Sequence, residues 1–198
     1  MMREQLYHLY YSGMDVYDLT PEWISKNERQ FCGCCGLLKL PHSGMDFVTD
    51  GKIRKDLDMI SIGHYLIPSV MSLRLFELLG ENAVQYLNIG TIYNGVSRDD
   101  KKQPFVTFVS KYDYTVLRGE KPDIFDGIPV SEDEREIICP ECHFRARRER
   151  SPYFLLENEY PEHPICCTDA GLLIYESVYN RIKDIKLVGV RIEKVKIK

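Results

Sequence analysis

Hydrophobic and polar positions along the chain fall into short runs with a period of two, broken by polar stretches, and only two segments show a helical period. Phe105-Val106-Thr107-Phe108-Val109 is β-branched and aromatic and predicts a strand, with Leu6-Tyr7-His8-Leu9-Tyr10 as a weaker counterpart near the start. Tyr112, Tyr114 and Val116 alternate as a strand does. Two apolar runs, Tyr65-Leu66-Ile67 and Leu172-Leu173-Ile174, fit buried strands, and each is followed by an amphipathic stretch. Its apolar positions are Met71, Leu75 and Leu78 in the first and Val178, Ile182 and Ile185 in the second, the i, i+4, i+7 spacing of one helix face. A further strand closes each series, with Val84 and Tyr86, or Val190 and Ile192, on one side. The alternation then slips at Leu87-Asn88 and at Glu193-Lys194, which predicts a bulge or bend in both.

The two series repeat at a nearly constant offset. Cys32 and Cys35 fall on Cys139 and Cys142 at 107 residues, as do Phe47 on Phe154, Leu66-Ile67 on Leu173-Ile174, Arg74 on Arg181, Leu75 on Ile182 and Leu78 on Ile185. Upstream, Asp15-Val16-Tyr17-Asp18 and Pro21 meet Asp123-Ile124-Phe125-Asp126 and Pro129 one residue out of step; downstream, Val84-Gln85-Tyr86 meets Val190-Arg191-Ile192. Drifts of one residue are what loop insertions produce. The pattern predicts an internal duplication and an α+β fold of two related halves, each a C-x-x-C knuckle followed by a strand-helix-strand unit. The halves are expected at residues 1–92 and 105–198, joined by the polar connector 93–104, which contains Asn94-Gly95 and ends in Pro104. About 90 residues bury too little surface for comfortable independent stability, so the halves are expected to pack as one compact unit.

Composition narrows the function classes. With 198 residues, 44% hydrophobic and 28% charged, the chain has the balance of an ordinary globular protein. A net charge of −4 argues against polyanion binding over the whole surface. No run reaches the roughly 18 apolar residues of a membrane span, and Met1-Met2-Arg3-Glu4-Gln5 lacks the apolar core of a signal peptide, so the expectation is a cytoplasmic protein without membrane contact.

Seven cysteines in such a chain point to metal or free thiols rather than a disulfide framework. A C-x-x-C turn supplies two thiolates to a tetrahedral zinc site, and two turns complete the set. Cys32, Cys35, Cys139 and Cys142 are therefore the candidate metal ligands, joining the halves through one structural Zn2+. The offset leaves out Cys34, Cys166 and Cys167, since Cys34 aligns with Glu141 and the other two align with Met59 and Ile60. The alternatives are reduced cysteines serving as small hydrophobes, a redox pair, or two separate sites, Cys32, Cys34, Cys35 with His42 and Cys139, Cys142, His143 with Cys166.

Signatures of nucleotide binding, serine hydrolysis and zinc proteolysis are absent, and the five histidines lie singly, so no catalytic residues are assigned and no enzyme is expected. Charge is more informative. Residues 120–136 hold seven acids against Lys121 and Arg135, and Arg145, Arg147, Arg148 and Arg150 follow the second knuckle. The acidic run suits docking on a basic partner, with Asp123, Asp126, Glu132, Asp133 and Glu134 as candidate contacts. The arginines leave a second reading open, a zinc-dependent nucleic-acid-binding or regulatory module, although the aromatic interleaving is limited to Phe144 and Tyr153.

The knuckles Cys32-Gly33-Cys34-Cys35-Gly36 and Cys139-Pro140-Glu141-Cys142-His143 resemble the bacterial double-CxxCG motif family. The endings Leu173-Ile174-Tyr175-Glu176-Ser177-Val178 and Leu187-Val188-Gly189-Val190 are similar to related immunity proteins of polymorphic toxin systems. The resemblance implies a chain that binds and blocks a cognate toxin domain by stoichiometric occlusion in the producing cell's cytosol. His143 departs from the family pattern, standing where the second knuckle has Gly.

Overall fold

The computed structural model describes residues 3–13, 15–39, 44–63, 70–95, 101–112 and 114–198. The fold is mixed α+β, mostly sheet with few and short helices. In chain order the strands are β1 (Leu6–Tyr11), β2 (Val16–Tyr17), β3 (Phe47–Thr49), β4 (Met59–Ile62), β5 (Val70–Ser72), β6 (Leu87–Asn94), β7 (Lys101–Ser110), β8 (Tyr114–Thr115), β9 (Arg118–Pro122), β10 (Ile124–Phe125), β11 (Ile128–Pro129), β12 (Glu136–Ile138), β13 (Arg145–Arg147), β14 (Glu149–Leu155), β15 (Ile165–Thr168), β16 (Gly171–Tyr175) and β17 (Val190–Ile197). The helices are α1 (Pro21–Lys26), α2 (Leu73–Leu79), α3 (Glu81–Tyr86) and α4 (Glu176–Tyr179), none long and apolar enough to cross a membrane.

Two large sheets carry most of these strands. The first runs β2-β4-β5-β7-β6-β3, parallel at its two outer pairs and antiparallel between them. The second runs β8-β15-β16-β1-β17-β14-β9, with β8 parallel to β15, β17 parallel to β14 and the remaining pairs antiparallel. β1, the first strand of the chain, thus lies between β16 and β17, and β7 lies between β5 and β6. The first sheet thus takes β7, which follows β6 in the chain, as a central strand among β2 to β6, and the second takes β1 as a central strand among β8 to β17.

Alternation along these strands feeds different cores. Leu9 of β1 joins Met59, Met71, Val106 and Phe108 of the first sheet and Ile165, Leu172 and Ile174 of the second in a cluster shared by both sheets and completed by α2, α3 and α4. Leu6 points the other way, with Leu117, Leu155, Leu173 and Val195. The far face of the first sheet is covered by Trp23 of α1 and by Leu38. Asp58 adds a polar tie: its buried carboxylate accepts Arg74 Nη1 at 2.9 Å, Ser72 Oγ at 3.1 Å and the Val188 N–H at 2.9 Å. A buried charge is tolerated when paired and hydrogen-bonded in this way, and here it fixes the chain entering β17 to the first sheet.

Several local expectations are corrected. Met71 is a buried strand residue of β5, and α2 starts after it, where the Ser72 hydroxyl accepts the Leu75 N–H at 3.0 Å as an N-cap. Val84 and Tyr86 belong to α3, not to a strand; α3 turns Ala83 into the core and leaves Val84 exposed, and the strand begins at Leu87. In the second amphipathic stretch only Glu176–Tyr179 is α-helical. Beyond it, i to i+3 hydrogen bonds from Arg181 to Val178, Ile182 to Tyr179 and Ile185 to Ile182 continue as tight turns that still bury Val178 and Ile182.

Neither expected slip, at Leu87-Asn88 or at Glu193-Lys194, lies where the alternation places it. β17 keeps continuous register with β1 through Glu193 and Lys194, and the one shift in the β6–β7 pairing lies between Thr91 and Tyr93. Opposite it sits Pro104, inside β7 rather than in a connector; a proline without an N–H is accommodated where the ladder is already interrupted. Tyr65-Leu66-Ile67 lies outside the described residues, whereas Leu172, Leu173 and Ile174 form the buried strand expected of them in β16.

Candidate metal centre

Both C-x-x-C turns close in the same way. In the first, Phe31 and Leu38 form an antiparallel bridge, the Cys32 N–H donates to the Leu37 carbonyl at 2.8 Å, and the Gly36 N–H donates to the Cys32 carbonyl at 2.9 Å. In the second, Ile138 pairs with Arg145 between β12 and β13, the Cys139 N–H donates to the Phe144 carbonyl at 2.8 Å, and the His143 N–H donates to the Cys139 carbonyl at 2.9 Å. Gly36 has φ +71° and His143 has φ +56°. Left-handed backbone costs a non-glycine residue about 1 kcal/mol, yet the His143 turn keeps every hydrogen bond of the glycine one.

The turns meet at their sulfurs. The Sγ atoms of Cys32, Cys35, Cys139 and Cys142 all lie within 4.8 Å of one another, with Cys32 to Cys139 and Cys35 to Cys142 both at 3.6 Å. A disulfide needs about 2.05 Å. Four thiolates about 2.3 Å from one tetrahedral ion stand about 3.8 Å apart, so this spacing suits a shared metal. Cys32 and Cys139 are buried, Cys142 is half-buried and Cys35 is exposed, which leaves one side of the cluster open to water.

Backbone dipoles are aimed at the sulfurs. The N–H groups of Cys142 and Glu141 pull the Cys139 thiol down to about 6. Loss of water among the clustered sulfurs raises Cys35, and raises Cys142 to about 12, against the N–H groups of Leu37 and Phe144 that point at them. Neighbouring thiols that cannot ionise together without a counter-charge are what a cation among them relieves.

Cys34 is exposed and hydrogen-bonded to Cys139, which raises its thiol. Cys166 and Cys167 are buried in β15, where Cys167 Sγ accepts the Ser110 N–H at 3.1 Å. Among the described residues, the four aligned cysteines are the only group of three or more His, Cys, Asp or Glu donors placed to hold an ion. His42, part of the two-site alternative, lies outside them. No family model matches the chain. No curated protein and no solved structure matches it either. Geometry and sequence therefore carry the functional argument.

The charged runs beside the cluster are interlocked. Arg145 and Arg147 approach the Glu136 carboxylate, Arg147 also donates to Glu149 at 2.9 Å, and Arg150 donates to Asp123 at 2.5 Å. Three of the four arginines after Cys142 thus face carboxylates, which leaves less of their charge for phosphate. Lys196 and Lys198 hold Glu120 at 3.0 and 3.1 Å. The expected partner contacts are dispersed: Asp123 is paired, Glu132 has Arg135 at 3.8 Å, Glu134 accepts the Ser131 hydroxyl at 2.8 Å, and Asp126 and Asp133 have no ion pair among the described residues. Residues 120–136 hold the β10–β11 hairpin and a 3-10 turn over Glu132–Glu134.

Two more titratable groups stand out, His8, which is buried, and Asp169, which is half-buried. His8 Nε2 meets Thr168 Oγ1 at 3.1 Å, its Nδ1 has no partner among the described residues, and burial pushes the imidazole down to about 3. Asp169 accepts the Arg147 N–H at 3.1 Å, but burial raises its carboxyl to about 6. Their effects on stability oppose each other. Between about pH 3 and 6.5 the unfolded chain protonates His8 and the native state does not, so stability falls with falling pH. Between about pH 4 and 6 the native state protonates Asp169 and the unfolded chain does not, so stability rises with falling pH. Asp169→Asn is therefore expected to be more stable than the parent at pH 7 by about 2 kcal/mol and to lose that advantage by pH 4, as read from urea midpoints. An advantage independent of pH contradicts the assignment.

Proposed function

We propose that the chain is an immunity protein that binds a cognate bacterial toxin domain and neutralises it by stoichiometric occlusion, with a structural zinc ion held by Cys32, Cys35, Cys139 and Cys142. The observation that carries this reading is the convergence of two C-x-x-C turns, 107 residues apart, on one four-sulfur cluster. It gives the paired knuckles, on which the resemblance to the double-CxxCG motif family rests, a common purpose, and the endings carry the likeness to the related immunity proteins. Four thiolates fill a tetrahedral ion's coordination and leave no position for substrate, so such an ion braces the fold rather than performing chemistry.

The duplication is part of the proposal. Its support is the equal order and direction of six strands in each sheet, β2-β4-β5-β7-β6-β3 against β8-β15-β16-β1-β17-β14, and the equal hydrogen bonding of the two turns. On this reading the halves exchanged their first strands, β1 for β7. The upstream D-φ-aromatic-D match has no such support, because Val16–Tyr17 edges the first sheet and Ile124–Phe125 stands in a separate hairpin.

The test is protection. A toxin domain encoded beside this chain's gene is expected to stop growth when produced alone and to be harmless when this chain is co-produced, with a 1:1 complex on light scattering. Failure to protect, or protection at substoichiometric amounts as an enzyme would give, contradicts the reading.

A further inference from the structure

The segment between β9 and the second cysteine turn carries apolar side chains that stand exposed. β10 and β11 pair Ile124 with Pro129 and Phe125 with Ile128, and they join neither large sheet. Cross-strand partners share a face, so Phe125 and Ile128 form one apolar pair. Phe125 is 72% exposed and Ile128 70% exposed, and Ile124 is exposed as well. Asp126 and Gly127, at φ 49° and 81°, make the tight turn at the tip. The base is fixed, since the Val130 N–H donates to the Asp123 carbonyl at 2.8 Å and the Asp123 N–H donates to the Arg148 carbonyl at 3.0 Å. The hairpin is thus held at its stem and bare at its tip. A lone two-stranded hairpin has no core of its own, and clustered exposed apolar side chains mark interaction surfaces.

Charge decides the kind of partner. Of the seven acids across residues 120–136, four are ion-paired, and Asp126, at the tip, Asp133 and Glu134 hold no ion pair among the described residues. Two copies of this chain meeting through their hairpins would set acid against acid, and an anionic lipid surface would repel the tip. An apolar wedge flanked by carboxylates fits a protein cleft with an apolar floor and a rim of Lys and Arg.

We propose that the hairpin Ile124 to Pro129 is a docking element that seats Phe125 and Ile128 in a basic-rimmed apolar cleft of a partner protein. The proposal deepens the immunity reading and rests on it only for the partner's identity. The test places a photo-crosslinking aromatic, p-benzoylphenylalanine, at position 125 in cells that produce the chain and identifies the product by mass spectrometry. The affinity of that partner is then measured for the parent, for the double variant Phe125→Ser/Ile128→Ser and for Val84→Ser, an exposed control on α3. Expected are one crosslinked protein, attached beside Lys or Arg residues, and an affinity lowered at least about 100-fold by the double variant but less than about 3-fold by the control, at unchanged melting temperature. If that protein is not the toxin domain, the docking element stands and the immunity reading falls. Crosslinking to nothing, to another copy of this chain, to many proteins or to a site without cations overturns the docking element, as does a double variant that binds like the parent.

Discussion

Residues 1–98 and 99–198, produced as separate chains, are each expected to lack cooperative folding, and mixing the two is expected to restore the native spectrum. Residues 99–198 lose β1, leaving β16 and β17 each without its central partner, together with Leu6 and Leu9, both fully buried. Residues 1–98 lose β7, with Phe105 and Phe108 and the ladders to β5 and β6. Burial of each such side chain contributes about 2 kcal/mol, and a domain's whole margin is about 5 to 15 kcal/mol, so removal of a central strand exceeds what either sheet can lose. Circular dichroism melting decides the matter, and a sharp, reversible transition in either isolated fragment would show that the strand supplied by the other fragment is dispensable.

The second large effect concerns the cysteines. Cys139→Ser is expected to lower the melting temperature by about 10 °C or more, whereas Cys34→Ser is expected to change it by less than about 2 °C. Metal binding at structural sites is folding energy, of order 10 kcal/mol in zinc peptides and less where a core already exists, and a loss of several kcal/mol in a chain of this size shifts the melting point by about 2–4 °C for each. Cys34 is the proper control because it is exposed and outside the four-sulfur cluster. Cys167, although outside the offset pattern, is fully buried and accepts the Ser110 N–H, so its substitution carries a cost unrelated to metal. Equal losses at positions 139 and 34 contradict a shared ion.

What could be read from the chain and what could not follows from the range of the forces involved. The offset of 107 residues brought the four clustered cysteines into view because thiolate chemistry leaves a sharp mark, two turns of fixed spacing. Strands with strong β-branched or aromatic character, β7 and β16, were legible for the same local reason. Short helices were not. α1 has end signals, Thr20 capping it and Pro21 opening it, but is too short to show a helical period, and in α3 alternation and one helical turn look alike. The placing of β1 among later strands is a long-range choice that no local pattern records. Nor does the acidic count reveal its pairing: Glu136 meets Arg145 and Arg147 only once β13 folds back on β12, and Asp123 meets Arg150 only once β14 pairs with β9.

The account turns on one ion shared by two turns, and metal analysis of the intact chain, purified under reducing conditions without added metal and followed by X-ray absorption, tests it most directly. One zinc per chain with four sulfur neighbours at about 2.3 Å is the result expected. Less than about a tenth of an equivalent of metal, or sulfurs paired at the disulfide distance of about 2.05 Å, would contradict it.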